Sequence, residues 1–379
     1  MMRRCNKILA SFISISIILI SAVSCNKEID FGFKDLCFYH PHTAPVQVGV
    51  DWSMFSHIEK PSGMTVYVWS EDPDKENYTF LTHNLNAITL DLEAGNYNAF
   101  VFNQSAPEYA TIEFHNLEDY DRAEARVMQV KSNWYFTKLP ETKVGSVPEW
   151  LAIDCVEDIQ VTDEMVSIAE KEHIAELFGD NSIHGRSGEV TRSQNHIGTL
   201  IPKSVVKNLN IFIHLENAIY LRSGIAAIEG LAEGCYIASG QNTEGRVTHT
   251  LETWKFINEK DENGDIMIMS GALNASLSTF GLPAGHTGNP DDTFMHVKLL
   301  LVDNTTLLEQ RFSIGEIIKD LNSYDGTQFD ADGNVIWPEL HVYWPEPLPE
   351  VEPVGGADGA FDVGVGDWGD EIVTELPLL

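Results

Sequence analysis

A cysteine and two histidines lie within six residues near the N-terminus. Cys37, His40 and His42 supply thiolate and imidazole groups, which are the ligands that zinc prefers. In an extended chain His40 and His42 point to one side and Cys37 to the other. A zinc site needs about four convergent ligands, and no second pair at metal spacing follows. Pro41 between the histidines favours the lead-in to a strand. We therefore expect a strand here, keep a metal site as the alternative, and assign no metal or cofactor ligand.

Two acidic segments are similar to the start of a calcium-binding loop. Residues 261–265 read DENGD and residues 330–334 read DADGN. Neither segment has the glycine at the sixth position and the glutamate at the twelfth position that such a loop needs. Asn-Gly and Asp-Gly between apolar runs are strong hairpin signals. Hairpin turns are therefore expected at both places, with calcium binding as the alternative.

Catalytic motifs are not evident. The chain has no Gly-x-Ser-x-Gly segment, no Walker loop, no dinucleotide fingerprint and no His-Glu-x-x-His. Carboxylates are so abundant that a glycosidase pair could be present, yet none can be nominated. Aromatic side chains such as Tyr67, Trp69 and Trp368 could stack on sugars, although packing is the commoner role. We assign no catalytic residue and predict that the protein is not an enzyme.

The first 24 residues have the pattern of a signal peptide. A basic start with Arg3, Arg4 and Lys7 is followed by sixteen uncharged residues, 8–23. This apolar run has the length of a secretory h-region and is short for a membrane span. It ends in SAVSC, which resembles a bacterial lipobox with Ala22 in place of the commoner leucine. Cys25 is then the lipidated first residue of the mature chain. Cleavage at a nearby small residue and a retained membrane helix are the alternatives.

The charge balance excludes one class of partner. The formal net charge is −33, and removal of the basic leader would leave −36. No lysine or arginine follows Lys319. A field of this sign repels phosphate backbones, so nucleic-acid binding is not expected. We interpret the acidic residues as a solvated surface that keeps an exported protein soluble.

Three cysteines remain once Cys25 carries a lipid. Because Cys37, Cys155 and Cys235 are odd in number, at most one internal disulfide can form, with three possible pairings. At least one of the three is expected to be a free buried thiol.

Alternating apolar residues predict a mainly β protein. Segments such as VQVGVDWS from Val46 and MTVYVWS from Met64 alternate with period two. Residues 87–105 read as two strands around a turn at Gly95. Turn signals every eight to twelve residues are typical of β-sandwiches.

Two helices interrupt this pattern. The first runs from a cap at Thr162 towards Gly179, and a shorter one is predicted over residues 313–324, with Ser313 and Glu316 as a capping box. A polar Gly/Ser-containing stretch follows the first helix. The predicted organisation is a signal peptide (1–24), a tether (25–36), an N-terminal β domain (37–180), a linker (181–197) and a C-terminal β domain (198–379). Residues 361–365 of the tail form a plausible final strand.

Several segments resemble those of a known family. The lipobox, HPHTAPVQVGVDWS, PSGMTVYVW, LEAGNYNAFVFNQS and LAEGCYIASGQNT are similar to segments of surface lipoproteins from gut and oral Gram-negative anaerobes. That family is catalogued mainly as a domain of unknown function and is related to fimbrial anchor and minor-subunit proteins. The resemblance is strongest over residues 37–115 and moderate near residues 205–240.

The resemblance implies a fold and a function. It implies two tandem transthyretin-like β-sandwich domains with a short helical insertion. It also implies an outer-membrane lipid anchor, a surface location, and a role in attaching or capping a fimbrial polymer through a pilin-like partner. The alternatives are a lipoprotein that binds glycan or host protein, and a lipid-anchored hydrolase. Arg122, Arg126, Arg186 and Arg192 are possible points for the arginine-directed cleavage that such pilins undergo, but none matches their processing site. An anchor or accessory role is therefore favoured over polymerisation.

Overall fold

The structure is a computed structural model that describes residues 42–55, 61–132, 143–178, 195–289, 292–332, 335–354 and 374–375. The predicted signal peptide, Cys25, the tether, Cys37 and His40 lie outside the described residues. So do residues 181–194 of the predicted linker, Arg186 and Arg192 among the possible cleavage points, and the predicted tail strand at 361–365.

The described chain is mainly β, as predicted. Strands of the first half are β1 (Ala44–Val50), β2 (Met64–Ser70), β3 (Tyr78–Thr82), β4 (Ala87–Leu92), β5 (Gly95–Asn103), β6 (Ile112–His115), β7 (Glu124–Val127), β8 (Lys143–Val144), β9 (Ala152–Val161), β10 (Asn195–Leu200) and β11 (Lys203–Ser204). Those of the second half are β12 (Lys207–Glu216), β13 (Leu221–Ala232), β14 (Gly234–Tyr236), β15 (Arg246–Leu251), β16 (Lys255–Lys260), β17 (Ile266–Thr279), β18 (Phe294–Leu301), β19 (Leu307–Ser313), β20 (Glu339–Tyr343) and β21 (Thr374–Glu375).

The strands form three five-stranded and two three-stranded sheets. The larger sheets have the orders β11-β9-β5-β2-β3, β20-β12-β17-β16-β21 and β19-β18-β13-β15-β8. The smaller ones have the orders β10-β1-β4 and β14-β7-β6. Most pairs are antiparallel, but β20 lies parallel to β12 along its outer edge.

Period-two alternation decides which face of each strand is buried. In β12 the side chains of Leu209, Ile211, Ile213 and Leu215 are almost fully buried, and the residues between them are partly exposed. These side chains share one hydrophobic core with apolar residues of β13 and β18, such as Ile228 and Leu299. The sheets that contain β12 and β13 therefore pack on each other as in a β-sandwich. The transthyretin-like detail and the domain boundaries stay predictions.

The described residues form two compact units. The smaller contains residues 42–46, 91–94, 161–178 and 195, and the larger contains the other described residues. The α-helix α1 (Asp163–Phe178) belongs to the smaller unit. Thr162 caps it as predicted, because its hydroxyl oxygen accepts a 3.2 Å hydrogen bond from the Met165 N–H.

Two local predictions are wrong. Residues 313–324 do not form an α-helix, and Ser313 is instead the last residue of β19, where it pairs with Phe294. A series of turns follows, ending in a 3-10 helix at Leu321–Ser323. The two strands predicted over residues 87–105 are present as β4 and β5, but Gly95 begins β5 and does not serve as the turn residue, and the two strands belong to different sheets.

No helix among the described residues combines the length and the apolar character needed to cross a membrane.

Candidate partner-binding surface

Two of the three side chains of the alternative metal site, Cys37 and His40, lie outside the described residues. Of the three residues in the opening motif, only His42 is described, and its Nδ1 contacts the Glu170 carboxylate. Among the described residues, no group of three or more histidine, cysteine or acidic side chains converges in a way that could hold a metal ion.

The segment at residues 261–265 forms the turn between β16 and β17, as expected for a hairpin. The Asp261 carboxylate accepts hydrogen bonds from the backbone N–H groups of Asn263 and Asp265, at 2.8 Å and 2.9 Å. Gly264 has a φ of +86°, a conformation that glycine adopts without strain. The carboxylate of Asp261 therefore shapes the turn and points at its own backbone. The segment at residues 330–334 is described only to Asp332, and Phe329 and Val335 on its two sides form an antiparallel bridge.

The aromatic residues nominated for sugar stacking lie in packed positions where they are described. Trp69 is 4% exposed, and its ring packs 4.4 Å from that of Phe100. Its indole N–H donates a 2.9 Å hydrogen bond to the Leu117 carbonyl. Tyr67 stacks on Trp69 with 5.8 Å between the ring centroids. These two side chains therefore stabilise the core, and Trp368 lies outside the described residues.

An acidic cavity of about 730 Å³ lies beside Trp69. Its lining includes Lys75, Tyr120 and seven carboxylates, which come from Glu71, Asp72, Glu118, Asp119, Asp121, Glu157 and Asp158. Carboxylates in this number attract cationic groups and repel anionic ones. A hydrolase would place its carboxylate pair in such a cleft.

Two thiols are described, and both are free. Cys235 is fully buried, and its burial raises the thiol pKa to about 12. Cys155 is partly buried, and desolvation raises its pKa as well. Both thiols are therefore protonated at neutral pH and poorly nucleophilic. The expectation of at least one free buried cysteine is met by Cys235.

Sheet edges offer main-chain groups to a partner. The outer edges of the five-stranded sheets include β3, β19 and β20, and no further strand pairs with them within the described part of the chain. Such an edge presents a row of N–H and C=O groups on which another strand can add. The opposite edge of the β12 sheet is different, because the C-terminal strand β21 pairs there with Lys255 and Phe256 of β16.

A column of four stacked rings lies on the outer face of β12 and β20. Phe212 pairs with His341, and His214 pairs with Tyr343, in the parallel register of the two strands. Ring centroids lie 4.7 Å apart for Phe212 and His341, 5.3 Å for His341 and His214, and 4.5 Å for His214 and Tyr343. The planes of neighbouring rings lie within 23° of parallel. The two histidine rings therefore lie between neighbours on both faces, while Phe212 and Tyr343 end the column, and Tyr343 is 68% exposed.

Hydrogen bonds fix the two histidines of this column. His214 Nε2 lies 2.9 Å from His341 Nδ1, and the outer nitrogens contact Glu259 at 2.7 Å and Glu339 at 3.0 Å. Glu259 reaches His214 from β16, two strands away, because the intervening strand carries Ala272 at that position. The ring orientations on the edge strand are thus set by both stacking and hydrogen bonds.

Sequence reasoning did not find this column. The sequence signal that could have indicated it is the alternation of ring-bearing and charged residues on the more exposed face of each strand. These residues are Phe212 and His214 on β12, and Glu339, His341 and Tyr343 on β20. Each strand shows one half of the column. The two histidines lie 127 residues apart in the sequence. Neither strand alone indicates that the two strands pair in parallel.

Comparisons with known proteins give one family and several remote structural relatives. A family model described as "Domain of unknown function (DUF5119)" matches residues 25–252, which is more than half of the chain. No curated protein matches the chain.

The structural relatives are similar at low identity. A candidate adhesin from Bacteroides ovatus has a TM-score of 0.46 at 14% identity, covering 86% of this chain and 99% of that one. The fimbrial anchor protein Mfa2 from Porphyromonas gingivalis has a TM-score of 0.40 at 11% identity, covering 79% and 90%. A candidate polysaccharide-binding protein from Bacteroides thetaiotaomicron has a TM-score of 0.37 at 6% identity, also covering 79% and 90%. Similarity of this degree carries no information on what the chain binds.

Proposed function

This chain belongs to the family described as "Domain of unknown function (DUF5119)", and we propose that it is a non-enzymatic outer-membrane lipoprotein that acts as a fimbrial anchor or accessory subunit. Its membership confirms the resemblance to a family catalogued mainly as a domain of unknown function. Cys25 carries the lipid, and sheet edges carry a pilin-like partner. The family match begins at residue 25, the residue that the proposal makes the first of the mature chain, and this supports the assignment of the leader.

The proposed contact with a partner protein rests mainly on the open outer edge of β20. The side chains of this edge strand alternate, with Leu340 and Val342 buried and Glu339, His341 and Tyr343 exposed. The buried residues anchor the strand to the core, so its main-chain groups are held in an extended conformation. A partner strand that adds here loses little free energy in ordering the edge, because the edge is already ordered.

The anchor role is tested by following the fimbrial polymer in cells. In cells that carry the wild-type chain, the protein should sediment with the outer membrane and a pilin-like chain should co-purify with it. In cells that carry Cys25→Ala, we expect the protein to be lost from the outer-membrane fraction and the polymer to be released into the medium. A polymer that stays attached to Cys25→Ala cells, or a membrane fraction without a pilin-like chain, would contradict the anchor role.

Binding of glycan or host protein at the surface is the second candidate function. It is favoured by Tyr343, whose outer ring face is the open end of the stacked column and is available for a sugar or an apolar side chain. The two histidine rings lie between neighbours and Phe212 at the other end is partly buried, so the column offers no extended platform. If this function holds, Tyr343→Ala should abolish binding to glycans on an array while leaving co-purification of the pilin-like chain unchanged.

A further inference from the structure

The hairpin of β16 and β17 contains an irregular segment that exposes apolar side chains. Asn258 pairs with Gly271, but the next pair is Lys260 with Ile266, so Glu259 alone faces four residues of β17. We call Met267, Ile268 and Met269 the apolar bulge. It also lies beyond the end of β12, whose last pair with β17 is Glu216 with Ser270. Among the described residues, the main chain of the apolar bulge therefore has no ladder partner on either side.

The side chains of the apolar bulge are unusually exposed. Met267, Ile268 and Met269 are 41%, 67% and 42% exposed. Because neighbouring residues of an extended chain point to opposite faces, three in a row present apolar surface on both faces. Ile219, which is 47% exposed, belongs to the 3-10 helix Ala218–Tyr220 that packs against β17. Contiguous apolar surface of this kind marks interaction sites on soluble proteins.

The apolar bulge is held on a well-defined turn. The backbone N–H of Asp261 donates to the Asp265 carbonyl at 2.8 Å, and that of Gly264 donates to the Asp261 carbonyl at 2.9 Å. The same turn accepts two further backbone hydrogen bonds at the Asp261 carboxylate. A partner would therefore meet an ordered surface and lose little free energy in ordering it.

Charge around the apolar bulge selects among possible occupants. Acidic residues lie opposite it and in the adjoining turn: Glu216, Glu259, Asp261, Glu262 and Asp265. Lys260 is the one basic residue among the positions opposite the apolar bulge and in the turn at residues 261–265. Backbone N–H donors hold the pKa of Asp261 below its ordinary value, so this turn stays anionic. An acidic rim repels a second copy of this chain, whose net charge is −33, and it repels anionic lipid headgroups.

We propose that the apolar bulge, together with its acidic rim, docks an extended segment of a partner protein that alternates apolar and basic residues. The apolar side chains of the partner would contact Met267, Ile268 and Met269, and its main chain would bond to the unpaired groups of the bulge. Its lysines or arginines would face the rim carboxylates. Methionine suits this role because its flexible thioether side chain adapts to the shape of its partner. The inference rests on the proposed function, since it names a contact surface for the protein partner of an accessory subunit.

The test measures binding of a defined peptide to the full mature chain. The probe is a fluorescein-labelled ten-residue peptide that alternates valine and lysine, followed by fluorescence anisotropy at about 0.15 M salt, where exposed charges are screened beyond about 8 Å. The variant Met267→Thr/Ile268→Thr/Met269→Thr removes the apolar surface and keeps residues that favour strands. The matched control is Val354→Thr, which lies outside the strands, because Val354 is 66% exposed and Ile268 is 67% exposed.

We expect the triple variant to bind the peptide at least tenfold more weakly than the wild type, and Val354→Thr to bind within twofold of it. A peptide with proline at alternate valines should also bind at least tenfold more weakly, because proline has no main-chain N–H to donate. Equal binding by the triple variant and the wild type would overturn the proposal.

Two further outcomes would assign the apolar bulge to another occupant and so overturn the proposal as well. Light scattering that shows a wild-type dimer and a monomeric triple variant would assign it to a second copy. Co-sedimentation with phosphatidylglycerol vesicles that the triple substitution abolishes would assign it to a bilayer. None of these readouts involves Cys25 or polymer release, so failure here is distinguishable from failure of the anchor role.

Discussion

At the scale of single residues, burial shifts the pKa of several ionisable groups in the direction that favours their neutral forms. Desolvation lowers the pKa of Lys207, whose ammonium group donates to the Val205 carbonyl at 3.2 Å. Desolvation also raises the pKa of Cys235 and lowers that of His249 to about 4. His249 is fully buried in β15, with Nδ1 3.3 Å from the Gly145 carbonyl, and no partner is seen for Nε2 within the described residues. Such groups make the free energy of unfolding depend on pH.

His249 should make the protein sensitive to acid. Its pKa is about 4 in the folded chain and near 6.5 in the unfolded chain. As pH falls from 6.5 to 4, the unfolded state takes up a proton that the folded state excludes, so stability present at neutral pH is lost. A difference of this size corresponds to about 3 kcal/mol. We expect His249→Gln, measured by urea unfolding at pH 7 and pH 4, to lose about 3 kcal/mol less than the wild type over this range.

Identical pH dependence of the wild type and His249→Gln would show that His249 is not the group responsible.

At the scale of elements, strand irregularities determine where the chain can bend. The register of β13 against β15 shifts between Glu229 and Leu231, and Gly230 within this shift has a φ of +90°. A Cβ atom on Gly230 would lie 2.3 Å from the Asp292 carbonyl oxygen. The β-bulge therefore depends on glycine for its backbone conformation and for a close approach of two chain segments.

Gly230→Ala should lower the free energy of unfolding by about 3 kcal/mol or more, since the cost of backbone strain and the cost of a steric clash are summed at this position. Gly240→Ala separates the two causes, because Gly240 has a φ of +64° and open space around its missing Cβ. Strain alone should cost about 1 kcal/mol there. Chemical denaturation of both variants tests this, and an equal loss in the two would rule out the close approach at Gly230.

Strands with one buried face could be predicted from the sequence, and their pairing could not. Val46, Val48 and Val50 are buried in β1, and Ile211, Ile213 and Leu215 are buried in β12, as their alternation indicated. The short helix at residues 313–324 was predicted wrongly because a capping-box pattern does not reveal that Ser313 is already paired in a strand. Gly95 was predicted as a turn residue but begins β5, and β4 lies in another sheet, because local sequence does not show which strands pair.

The candidate surfaces also divide into features with a local sequence cause, which could be predicted, and features that depend on strand pairing, which could not. The 261–265 turn was predicted, because Asn-Gly at a strand connection has a local cause. The stacked column and the apolar bulge were not found, because both depend on registers between strands. The apolar run at Met267–Met269 reads as an ordinary strand until its missing ladder partners are seen.

At the scale of the whole molecule, a large hydrophobic core is combined with a strongly acidic charge. One core cluster includes residues from Trp69 to Leu348. The formal net charge of −33 opposes this compact packing through self-repulsion.

Salt should therefore stabilise the folded protein. Raising NaCl from about 0.02 M to about 0.5 M shortens the screening length several-fold and weakens repulsion between carboxylates. We expect the Tm to rise by a few degrees in differential scanning calorimetry, and KCl to have the same effect. A much larger rise with CaCl2 at matched ionic strength would instead indicate a specific calcium site and would contradict the hairpin interpretation of the two acidic turns.

The central claim of this account is that Cys25 becomes the lipid-bearing first residue of a surface protein. Each buried acyl methylene contributes about 0.8 kcal/mol, so two or three chains would hold the protein on a membrane almost permanently. The most direct measurement is metabolic labelling with a clickable palmitate analogue in cells that express the wild type or Cys25→Ala. The account predicts label on the wild-type chain and none on Cys25→Ala. Equal labelling of the two, or no label on either, would contradict the lipoprotein assignment and the anchor role that depends on it.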